Sequence, residues 1–164
     1  MGLFGWFRKS NQAPSDPEPS DYTHPTLGTM YMDTDSSWSA EEAVTPLAGQ
    51  PISVSLEGTE AGPDGQALAG YGHIVENWAT IFVETGIQEA FFELYAAYAD
   101  SGDAQAQVGS PSEVWSTAVV SSLDVASPDT FTITVTFTWQ HSKDGHIITA
   151  EVEDGFCQGC TVDG

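Results

Sequence analysis

The stretch Thr130 to Trp139 (TFTITVTFTW) limits the possible folds more than any other part of the chain. Phe131, Ile133, Val135, Phe137 and Trp139 fall on one side of an extended backbone, and Thr132, Thr134, Thr136 and Thr138 on the other. This strict alternation of aromatic or β-branched residues with threonine predicts a strand with one apolar and one hydroxylated face. Such a strand reaches ~33 Å and needs an apolar layer across its greasy side.

The segment from Pro63 to Asp100 supplies that layer. Gly62-Pro63-Asp64 reads as a helix start, with proline in the first turn and an acid at the positive end of the dipole. Leu68, Tyr71, Val75, Trp78 and Phe82 then recur at helical spacing, followed by Ile87, Ala90, Phe91, Leu94, Tyr95 and Tyr98. Two helices are expected, parting at Asn77 or Gly86. Glu76, Glu84, Glu89, Glu93 and Asp100 lie between the stripe positions and read as the wet face, although spaced carboxylates on a helix also suit metals. Ser110-Pro111-Ser112-Glu113 has the pattern of a capped short helix through Val114 and Trp115.

Strands flank this helical centre. Thr26–Asp33 and Ser37–Val44 predict a hairpin, and Ile52, Val54 and Leu56 alternate with Ser53 and Ser55 after Pro51. Ser122–Ala126 is a further strand. Lys143-Asp144-Gly145 marks a reversal between the Phe131–Trp139 strand and a return strand from His146 to Glu153. The expected fold is α+β: a mainly antiparallel sheet with a two-helix layer on one face, in the order β-β-β-α-α-(short α)-β-β-β. Residues 1–25 read as a flexible tail and linker, with Pro14, Pro17, Pro19 and Pro25 among polar residues. Residues 26–156 read as one domain, and 157–164 as a short cysteine-containing tail.

Charge carries the main information about partners. Twenty-four acids face three basic residues, for a net charge of −21. Arg8 and Lys9 lie in the first nine residues, which leaves Lys143 alone in the body. A body so negative repels phosphate backbones, so no nucleic-acid binding is expected. The same field attracts a basic protein, although acids also serve solubility alone. No segment has the ~20 apolar residues of a spanning helix, and no secretory leader is legible. The expected location is cytoplasmic. Membrane contact is expected only through the N-terminal tip, where Phe4, Trp6, Phe7, Arg8 and Lys9 form an aromatic-basic cluster suited to a membrane surface or a protein groove. Trp6 breaks the myristoylation pattern.

Chemistry is sparse. The chain contains no G-x-S-x-G elbow, phosphate loop or H-E-x-x-H pair. Gly70 and Gly72 fall inside a helical stripe with no strand before them, which excludes a dinucleotide fold. His24, His73, His141 and His146 lack ligand spacing on one helix face. Cys157-Gln158-Gly159-Cys160 is the sharpest motif, and a metal or redox role is the alternative to an inert tail. A redox site of the usual kind sets its first cysteine at a helix start, and no residues remain here for one. For zinc, His141 and His146 are the candidate additional ligands, but a straight return strand leaves them ~30 Å from the cysteines. No cofactor and no catalysis are expected.

Several of these elements together resemble a bacterial domain-of-unknown-function family of small acidic α+β proteins, over roughly residues 24–156. The matching features are the Gly28 strand, the Ile52–Glu57 strand before a helix pair, and Glu113-Val114-Trp115. The ending Trp139…Asp144-Gly145…Glu153-Asp154-Gly155-Phe156 also matches. Members carry an acid and a histidine directly before the hairpin glycine, whereas His141 and His146 here bracket Lys143-Asp144-Gly145. The resemblance implies an immunity-like cytoplasmic accessory domain without catalysis, and draws attention to the hairpin residues Trp139, His141, Asp144, Gly145 and His146.

Overall fold

The computed structural model describes residues 21–33, 35–43, 50–102, 107–138 and 147–163. It is a mixed α+β fold with a nine-stranded, mostly antiparallel sheet and four helices among those residues. Strands β1 (Asp21–His24), β2 (Gly28–Met32), β3 (Ser37–Ala43) and β4 (Ile52–Thr59) come first, followed by the two-residue β5 (Gly62–Pro63). Helices α1 (Gly65–Glu76), α2 (Trp78–Glu84), α3 (Ile87–Ser101) and α4 (Pro111–Ser116) follow. The chain closes with β6 (Ala118–Ser127), β7 (Thr130–Phe137), β8 (Ile147–Glu153) and β9 (Phe156–Asp163). Spatial order is β1-β2-β3-β4-β6-β7-β8-β9, with β5 paired to β4 off that path. Every pairing is antiparallel except β4 with β6, which the helical segment joins as a crossover.

The alternation that predicts β7 is seen in its burial. Phe131, Ile133, Val135 and Phe137 are buried, while the intervening threonines stay half-exposed. Cross-strand register continues this pattern across the sheet. Val54, Leu123, Ile133, Ala150 and Cys160 form one row, and Trp38, Leu56, Val125, Phe131, Val152 and Cys157 the next. The helices add Ala67, Tyr71, Ile74, Ile81, Phe82, Ile87, Phe91 and Tyr95 to the same core. Trp115 of α4 lies 4.1 Å from Phe82 and stacks on Phe91 at 6.1 Å between ring centroids. Phe91 in turn meets Phe137 edge-on at 5.0 Å, so an aromatic chain couples the helical layer to β7.

The expected element order needs four corrections. The helical layer has three segments before α4, because the helix breaks at both Asn77 and Gly86. The Asn77 side-chain amide donates to the His73 carbonyl at 2.9 Å, competing with the backbone as helix interiors disfavour. Asn77 itself leaves helical geometry, and Gly86 takes a left-handed backbone. Second, part of the expected linker is strand β1. Tyr22 packs edge-on to Trp38 and His24 to Tyr71, while Pro25 occupies the turn, where its missing N–H costs nothing. Third, Gly62-Pro63 is a β-bridge to β4 and the helix begins at Gly65. Asp64 holds the N-cap position, where its carbonyl accepts from the Leu68 N–H at 3.0 Å and its side chain makes no capping bond. Fourth, residues 156–163 are the edge strand β9 and not a tail. Asp154 and Gly155 both have positive φ (51° and 80°), the geometry of a two-residue hairpin turn. The short-helix expectation agrees with α4, where the Glu113 N–H donates to the Ser110 hydroxyl at 3.3 Å.

Gly70 shows why one position of α1 has no side chain. A Cβ there would lie 2.5 Å from the Ser127 carbonyl carbon, so the helix rests directly on the β6–β7 turn. Gly70 is thus a packing glycine inside α1.

Candidate functional site

The polar face of the sheet carries its own rows. Ser39, Ser55, Asp124, Thr132 and Glu151 are successive cross-strand partners, and beside them run Ser53, Ser122, Thr134, Thr149 and Thr161. These hydroxyls contact one another: Thr134 and Thr149 are 3.3 Å apart, and Ser39 and Ser55 3.5 Å, while Ser39 also donates to Asp33 at 2.6 Å. The four helices belong to the opposite, apolar side, where their buried residues join the core.

One end of this face is an open hollow of about 470 Å³ lined by the carboxylates of Asp35, Glu57, Asp124, Glu151 and Glu153 together with Ser37, Ser55 and Thr132. Two of the carboxylates differ in proton affinity. Asp35 accepts from the Ser37 hydroxyl at 2.7 Å and its N–H at 3.1 Å, which hold its carboxyl below the ordinary range. Asp124 is held above that range, first by the atoms crowding it and then by the charge of Asp35. Its side chain still reaches solvent, so water mutes the effect. Arg8, Lys9 and Lys143 all lie outside the described residues, so no described lysine or arginine faces these carboxylates.

The cysteines occupy a second place, the helix-facing side of the sheet's edge. A bulge in β9 between its pairings to Glu151 and Val152 sets Cys157 opposite Val152 and Cys160 opposite Ala150. Both thiols are half-buried against the core. The Cys157 N–H donates to the Thr85 carbonyl at 2.8 Å, tying the edge strand to the α2–α3 junction. A hydrogen bond from the Cys160 thiol, aided by the Gly159 backbone, lowers the Cys157 pKa to about 7 against an opposing effect of burial. Cys160 is pushed up by that same bond, then by burial and by the charges of Cys157 and Glu93.

Of the docking, hairpin and cysteine residues singled out in the sequence, only Cys157 and Cys160 lie in the described structure. Phe4, Trp6, Phe7, Arg8 and Lys9 lie outside it, as do Trp139, His141, Asp144, Gly145 and His146. Among the described residues, no three metal-binding side chains converge, and no helix is long and apolar enough to cross a membrane. The acidic hollow was not legible as a site, because its carboxylates come from four separate stretches of chain, with Glu151 and Glu153 sharing β8. The signal that was present is the hydroxyl face of β7 together with Ser53 and Ser55. The chain matches no family model, no curated protein and no solved structure.

Proposed function

We propose that this is a non-catalytic, cytoplasmic binding domain that presents the polar face of its sheet to a basic protein, in the manner of an immunity protein. The observation behind this reading is the gathering of the Asp35, Glu57, Asp124, Glu151 and Glu153 carboxylates with serine and threonine hydroxyls around one hollow, with no lysine or arginine among the described residues. Lysine and arginine side chains are the natural complement: carboxylates receive charge-assisted hydrogen bonds, and the serine and threonine hydroxyls satisfy remaining donors. The field of the whole domain steers such a partner in, and salt weakens that steering.

A lysine-rich basic peptide serves as the probe, titrated into the full chain over a range of ionic strength. The combined variant Asp35→Asn, Asp124→Asn, Glu151→Gln keeps side-chain volume while removing charge from the hollow. We expect at least ~10-fold weaker binding for the variant at low salt, the size of a few partly screened charge contacts, and convergence of the two proteins at high salt. Equal affinity of variant and parent at low salt would remove this face from consideration.

A further inference from the structure

Residues three apart in a regular strand point to opposite faces. Cys157 and Cys160 do not, because the bulge absorbs one position and leaves both opposite core-facing residues of β8, Val152 and Ala150. Those partners are two residues apart on β8, a spacing of ~6.8 Å, at the upper end of the ~4.4–6.8 Å between Cα atoms that a disulfide spans. Gly159, inside the motif, has φ of 140°, a conformation that favours glycine and lets the strand make this step. The Cys157 thiol donates to the Gly159 carbonyl at 3.6 Å, within the motif itself. The pair sits on the last strand of the sheet, with neither thiol fully buried.

We propose that Cys157 and Cys160 form a thiol–disulfide exchange site whose co-substrate is a small-molecule disulfide, with Cys157 as the attacking thiol and Cys160 as the resolving one. The Cys157 thiolate attacks one sulfur of the incoming disulfide. That S–S bond breaks, the other sulfur departs as a thiolate, and a mixed disulfide forms on Cys157. Cys160 gives its proton to solvent and attacks Cys157 Sγ, releasing the second half of the co-substrate as a thiolate. Two electrons have then passed from the cysteine pair to the incoming disulfide, which leaves as two thiols. The bulge supplies what a regular strand cannot: it brings both cysteines to the same face of β9, as near neighbours along the edge. This site lies on the helix-facing side of the sheet and stands independently of the acidic face.

The test equilibrates the full chain with graded ratios of glutathione disulfide to glutathione, followed by acid quench, alkylation and peptide mapping by mass spectrometry. Expected is a Cys157–Cys160 disulfide within one chain, appearing and disappearing reversibly with the ratio. Cys160→Ser should accumulate a glutathione adduct on Cys157, and Cys157→Ser should form its adduct on Cys160 about tenfold more slowly or worse, as thiolate availability dictates. Thiols that stay reduced at the highest disulfide ratio, or that oxidise only between chains, overturn the proposal. Faster adduct formation on Cys160 overturns the assignment of roles. The parent protein decides the first question even where a serine variant folds poorly.

Discussion

The two faces of β7 are built from neighbouring residues of one strand, yet they are held to different standards. On the apolar face Ile133 and Val135 are wholly buried, and each position is flanked on both sides by apolar partners from β6 and β8. On the polar face Thr132 and Thr134 are half-exposed; Thr132 lies in register with Asp124 and Glu151, and Thr134 contacts the Thr149 hydroxyl at 3.3 Å. The first face sets the register and stability of the whole sheet, since slipping by one residue would bury the threonines. The second is free of that constraint and can be shaped for a partner.

Mutation can break this contrast. The largest effect expected is for Ile133→Ala, which should cost about 2–5 kcal/mol in denaturant unfolding by leaving a cavity in the central row. Thr134→Ala, one residue away, should cost no more than about 1 kcal/mol, the range of a cross-strand pair. Similar losses at both positions would mean that the polar face is also packed. Gly70→Ala should cost about 1–3 kcal/mol, because the added methyl meets backbone at Ser127 that cannot turn aside. A neutral outcome there would show that α1 does not rest on the β6–β7 turn.

The smallest effect concerns pH and the opposite edge. His24 Nδ1 accepts from the N–H groups of Thr26 and Leu27 at 3.2 and 3.1 Å, and burial lowers its pKa from the ordinary 6.5. The folded protein therefore binds fewer protons at this site than the unfolded chain. Its stabilising contribution is full above 6.5 and is lost as pH falls through the lowered value. Amide exchange in β1 and the β1–β2 turn should accelerate over that window, and His24→Gln should flatten the response.

What the sequence disclosed follows from where the physics is local. The period-two pattern of β7 and the Ser110 cap act within a few residues and were legible. The break at Asn77 was half-legible: a side-chain bond to His73 decides it, yet the apolar stripe runs on past it. Strand β1 was hidden because Tyr22 and His24 are held by Trp38 and Tyr71, partners far off in the chain. Strand β9 was missed although Asp154-Gly155 is a hairpin signal, because a polar segment with two glycines has little strand propensity of its own. The acidic hollow and the approach of the two thiols depend on register between distant strands, which composition cannot supply.

The lone parallel pairing, Ser53–Leu56 beside Ser122–Val125, also has a kinetic meaning. On either side of it the strands are joined in chain order as antiparallel neighbours, whereas this seam waits on the closure of the entire helical crossover. Assembly is thereby biased toward two independently nucleated wings that dock late, with Val54, Leu56, Leu123 and Val125 as the suture between them.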